Sequence, residues 1–138
     1  MRQVFNLNNL RPGDRLVLPK SEWNLIQHHV IYIGIDANRN RLYIENFAGK
    51  GVQLVNENHL FRDWYYVTRI EPFVGDIFQR NEAIKRAMQL IGKPYDLVNF
   101  NCEHYANTVQ HNKSYSKQVN NGLVAGLIAL VLSIGFTR

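Results

Sequence analysis

The chain has 138 residues, 46% hydrophobic and 20% charged, which is one domain's worth of sequence with enough apolar side chains for a core and too many for intrinsic disorder. Its single cysteine, Cys102, excludes an internal disulfide framework and any multi-cysteine zinc or iron–sulfur site, and makes a reducing, cytosol-like compartment the default. Sixteen basic against eleven acidic side chains give +5, a mild bias toward anionic partners such as phospholipid surfaces, without the clustering of a nucleic-acid footprint.

The opening stretch MRQVFNLNNLRPGD has no apolar run, so no secretory signal is expected, and Arg11-Pro12-Gly13-Asp14 reads as a turn. Strands are predicted over residues 15–18, 28–35 (HHVIYIGI), 41–47, 52–55 and 65–70 (YYVTRI), where β-branched and aromatic residues concentrate. The polar turn at residues 36–40 joins the second and third of these as a hairpin. A helix is predicted from Asn81, its stripe formed by Ala83, Ile84, Ala87, Met88, Leu90 and Ile91, with Gly92 and Pro94 ending it. A second helix starts near Asn101 and carries Cys102, Tyr105, Ala106 and Val109. A strand meander followed by helices predicts an α+β fold with an antiparallel sheet.

Cys102 follows a capping residue type and so falls in the first turn of a helix, where unpaired amides and the helix dipole favour a thiolate nucleophile. The neighbouring Glu103 opposes that field. The thiolate needs a base. His104 is two residues away on the same helix and points elsewhere, while His59 and His111 fall in loop-like or terminal surroundings. His28 and His29 are adjacent on a strand and face opposite sides, so one can serve the cysteine and the other cannot. A third residue must orient the imidazole, and Glu45 and Asn46 on the next strand are again adjacent, leaving one of them for the site. The spacing of these groups lacks a compact ligand pattern, so no metal and no cofactor are expected.

Four segments carry a resemblance: LRPGD at residues 10–14, HHVIYIG at 28–34, RAMQLIGKPYDL at 86–97 and NCEHYAN at 101–107. Together they resemble the lecithin retinol acyltransferase-like (LRAT-like) family of thiol acyltransferases and phospholipases, relatives of the NlpC-type papain-like peptidases. The resemblance spans residues 10–112, and its His-before-Cys order implies a permuted papain-like site. It implies Cys102 as nucleophile, His28 as base and Asn46 as orienting residue, in place of the family's second histidine. Glu45 takes that role if the register slips by one. Two further departures from the family pattern are Ile26, where phospholipase members carry a tyrosine, and Gln110, where an arginine is common. The Cys102 amide remains as an oxyanion donor.

Residues 118–137 contain no charge, and residues 122–136 (GLVAGLIALVLSIGF) are almost wholly apolar. As a helix, such a fifteen-residue run is about 22 Å long against a hydrocarbon core of about 30 Å, and residues 119–137 come close to spanning it. The sequence therefore predicts two parts: a catalytic domain over residues 1–117 and a hydrophobic membrane anchor over residues 118–138. Lys113 and Lys117 before the run place the domain on the cytoplasmic side. Gly122, Gly126, Ala129 and Ser133 form a small-residue face suited to helix-mediated self-association. The combined expectation is a phospholipid acyl hydrolase or acyltransferase working through a cysteine thioester at a membrane, with a glycerophospholipid as acyl donor. The alternatives are a cysteine amidase or peptidase of the NlpC type and a non-catalytic membrane-associated interaction protein.

Overall fold

The computed structural model describes residues 5–19, 26–62 and 66–120. Five strands, β1 (Arg15–Pro19), β2 (Gln27–Ile35), β3 (Arg41–Phe47), β4 (Gly51–Asn56) and β5 (Arg69–Glu71), form one antiparallel sheet in the order β4-β3-β2-β1-β5. Its helices are the short α1 (Glu57–Leu60), α2 (Ile77–Gln89), α3 (Cys102–His111) and the short α4 (Lys117–Asn120). The architecture is α+β, as the order of predicted elements implies.

Alternation along the strands divides the core in two. Leu16, Leu18, Val30, Tyr32, Tyr43, Phe47 and Val55 pack on one face with Leu60 of α1 and Val67. Ile31, Ile44 and Val52 pack on the other with Ala83 and Ala87 of α2 and with Tyr105, Ala106 and Val109 of α3. Both helices therefore lie on the second face. The middle strand, β2, carries His28 to the first face and His29 to the second.

The LRPGD turn ties these layers together. Asp14 accepts from the amides of Arg11 and Phe73 and pairs at 3.3 Å with buried Arg80 of α2, whose guanidinium also donates to Pro12 O. Gly51 opens β4 at φ 78°, and a Cβ there would stand 2.5 Å from Lys93 O. That carbonyl accepts from Val52 N, so glycine lets the exit of α2 close onto the sheet.

Three local expectations are corrected. The helix expected from Asn81 starts four residues earlier, at Ile77, because Asp76 and Gln79 form a reciprocal capping box. Its stripe is narrower than the sequence suggests: Ala83 and Ala87 are buried, whereas Met88 and Ile91 are exposed at 47% and 43%. The strand expected over residues 65–70 is β5, which pairs only from Arg69 to Glu71. Thr68 is held just before it by its amide and hydroxyl donating to Val17 O. The anchor expected in residues 118–138 falls from residue 121 onward outside the described residues. Among the described residues no helix is long and apolar enough to cross a membrane.

Candidate active site

Asn101 caps α3, its side chain accepting from the amides of Glu103 and His104, while the His104 ring accepts in return from Asn101 N at 3.1 Å. His104 is thereby occupied in the helix cap. Cys102 becomes the first residue of the helix, 3% exposed, with its thiol donating to Gln27 O at 3.5 Å. Helix α3 thus begins where β2 begins.

His28, the next residue along β2, is wholly buried. Its ring packs edge-on to Phe47, with centroids 6.0 Å apart, and its Nε2–H donates to Glu45 Oε1 at 2.8 Å. The second carboxylate oxygen accepts from Gln53 Nε2 at 2.8 Å, which pins the carboxylate from the far side. Burial pushes the His28 imidazole down, but hydrogen bonds to Cys102 and Glu45 and the charges of both outweigh it, so its pKa stands above the ordinary value. With Nε2–H directed at Glu45, Nδ1 is the ring nitrogen available to the thiol proton.

His28, Glu45 and Cys102 are therefore brought together, and Asn46 is not. The expectation that Asn46 orients the base is corrected: Glu45 is opposite Val30, on the face that carries His28, so Asn46 must face the helices. There Asn46 Nδ2 donates to Phe100 O at 2.8 Å and Asn101 O at 3.2 Å, bracing the backbone that leads into Cys102. Strand alternation alone allows only one of the two at the imidazole, and the fallback residue is the one that meets it.

His29 occupies the helix side of β2. Its Nδ1 accepts from Arg15 Nη1 at 3.3 Å, and its Nε2 stands 4.0 Å from Glu103 Oε2. Burial, Arg15, Arg69 and His28 push its pKa well below the ordinary value, so it is neutral. The body of α3 thus covers His29, whereas its first residue reaches His28 at the end of the strand. Buried Arg15 also donates to Gln110 Oε1 and Asn107 Oδ1 of α3, and Gln110 Nε2 donates to Gly13 O and Glu71 O. Gln110 is a brace between α3 and the sheet. His111 is exposed at the end of α3, and His59 lies in α1 on the other face.

Two further residues lie near the thiol, Tyr95 within the RAMQLIGKPYDL segment and Gln118 in a stretch with no pattern of its own. The Tyr95 phenol is raised by burial and then by the negative charge of Cys102, which marks it as a neighbour of the thiol. The loop that follows it is closed by Asp96 N donating to Phe100 O and Phe100 N to Asp96 O. Gln118 of α4 reaches the Gln27 peptide. A cleft of about 350 Å³ lined by Phe73, Phe78, Arg86 and His111 contains none of the residues around the thiol. Among the described residues no cluster of three or more His, Cys, Asp or Glu side chains could hold a metal ion.

The family model for lecithin retinol acyltransferase matches residues 8–115 of the chain. Human phospholipase A and acyltransferase 2 is 39% identical over 62 residues, a segment that is 40% of this chain and 38% of that protein's length.

Proposed function

The chain belongs to the lecithin retinol acyltransferase family, and from that premise we propose that it is a thiol-dependent phospholipid acyl hydrolase or acyltransferase with a permuted papain-like site. Cys102 is the nucleophile, His28 the base and Glu45 the residue that orients it. The single observation that carries this is the wholly buried His28, hydrogen-bonded through Nε2–H to Glu45 and hydrogen-bonded to Cys102.

His28 Nδ1 takes the thiol proton, and the sulfur attacks the ester carbonyl of a glycerophospholipid acyl chain. The tetrahedral oxyanion is met by the Cys102 amide at the start of α3, where the helix field favours negative charge. Collapse expels the lysophospholipid alkoxide, which takes the proton from His28, and leaves a thioester on Cys102. Water, an amine or an alcohol then attacks the thioester, losing its proton to His28, and the Cys102 thiolate leaves and takes that proton back from the imidazolium. Glu45 fixes the ring's tautomer and angle and stabilises the imidazolium formed in each half-reaction. The similarity to a phospholipase A and acyltransferase supports the substrate class. The uncharged segment of residues 118–137 fits an anchor that holds the site at a membrane surface with the domain on its cytoplasmic side.

The test is turnover of phosphatidylcholine vesicles. Cys102→Ser is expected to retain the fold and lose activity by at least about 1000-fold, since an alcohol is barely ionised near neutral pH. A serine variant with wild-type turnover would refute the thiol mechanism.

A further inference from the structure

The segment after α3 returns to the thiol. Gln118 is 8% exposed, and its side-chain amide brackets both main-chain polar groups of one residue of β2: Gln27 N donates to Gln118 Oε1 at 2.9 Å, and Gln118 Nε2 donates to Gln27 O at 3.4 Å. The same carbonyl oxygen accepts from the Cys102 thiol at 3.5 Å. The bracket is itself held from the first turn of α3. Glu103, beside Cys102 and 5% exposed, accepts at Oε1 from the Ser116 hydroxyl at 2.6 Å and from Gln118 N at 3.0 Å. One carbonyl thus lies between the nucleophile, the residue preceding the base and the root of the uncharged C-terminal segment.

We propose that Gln118 is a positioning residue for the thiol–imidazole pair, clasping the main chain of Gln27 so that the Cys102 proton is directed to His28 rather than held on the Gln27 carbonyl. A carbonyl oxygen that already accepts from an amide is a weaker acceptor for a second donor, so the bracket loosens the thiol's alternative partner. It also fixes the peptide plane on which His28 is mounted. Without it, Gln27 O is left to the thiol as its sole side-chain donor, and a thiol donating to a carbonyl is stabilised in its protonated form. The clasp rests on the assignment of Cys102 and His28 as the reacting pair.

The experiment is the pH dependence of Cys102 alkylation by iodoacetamide in the full chain, which needs no lipid substrate. Gln118→Met keeps the size and burial of the side chain and removes both ends of the bracket. The expected result is a midpoint about one pH unit higher and alkylation about tenfold slower at pH 7, with an unchanged circular dichroism spectrum. A wild-type midpoint and rate in the folded variant would overturn the proposal. Hydrogen exchange in the unmodified protein is a second arm that involves no substitution. The Gln27 amide is expected to be protected, and exchange at the rate of an open chain would overturn the clasp as well. Loss of phosphatidylcholine turnover as an activity, with the alkylation shift intact, would refute the lipid reading and leave the clasp standing.

Discussion

His28 and Glu45 form a buried pair across neighbouring strands, 2.8 Å between Nε2 and Oε1, with neither side chain exposed to solvent. They are diagonal neighbours: Val30 is directly opposite Glu45, and His28 lies two residues earlier on the same face. The antiparallel register therefore delivers a carboxylate to the imidazole, and Gln53, directly opposite Glu45 on β4, holds it from behind.

Glu45→Gln keeps an oxygen that can accept from Nε2–H and removes the charge. His28 is held above its ordinary pKa partly by that charge, so its titration, followed by NMR, is expected to move to lower pH. Turnover is expected to fall about 10- to 100-fold, the range for losing an orienting partner rather than the base. An unmoved His28 titration would contradict the assignment.

Asn46→Ala is expected to act differently. It removes one of two donors from each of Phe100 O and Asn101 O, which keep Asp96 N and Tyr105 N, at a cost of about 0.5–1.5 kcal/mol for each lost bond in denaturant unfolding. The His28 titration should stay where it is, since Asn46 does not touch the ring. A shift in that titration comparable to that of Glu45→Gln would restore Asn46 as the orienting residue.

Much of this was legible in the sequence and some was not, for physical reasons. The boundaries of β3 and the capped start of α3 follow from local composition and a cap residue, which act over a few positions. Choosing between Glu45 and Asn46 needs the strand register relative to His28, and register depends on pairings between segments far apart in the chain. The resemblance points to Asn46, one position beyond the residue that meets the His28 ring. Gln118 reaches the thiol only through tertiary packing and has no local pattern to mark it, while Tyr95 lies in the RAMQLIGKPYDL segment without a feature that singles it out. The Asp76 cap was readable, since Asp followed three residues later by Gln is a capping-box signature.

The two adjacent histidines give opposite pH signatures. His29 is depressed in the fold, so between that value and its unfolded value of 6.5 the unfolded chain binds a proton that the native chain does not. Its contribution to stability is lost as pH falls below about 6.5, by about 1.4 kcal/mol per pH unit. His28 is raised, so its contribution is present below its unfolded value and is lost as pH climbs through the folded one. His29→Gln, measured by denaturant unfolding from pH 7 to 5, should therefore show a shallower acid slope by about that amount. An unchanged slope would mean that His29 is not held neutral.

Deleting residues 122–138 leaves Gln118 and the domain intact. The truncated protein is expected in the soluble fraction, with weakened turnover of vesicle lipids and preserved hydrolysis of a short soluble ester, as the proposed anchor and the proposed His28–Cys102 pair require. Aggregation with loss of both activities would make the segment part of the core.

In the proposed reaction the acyl group passes through Cys102. Intact-protein mass spectrometry after incubation with phosphatidylcholine reads that intermediate. The expected result is an added fatty-acyl mass that maps to Cys102, is removed by hydroxylamine, and is absent from Cys102→Ser and His28→Ala. Turnover of the lipid without any adduct on Cys102, under rapid acid quench, together with full turnover by the serine variant, would contradict the account.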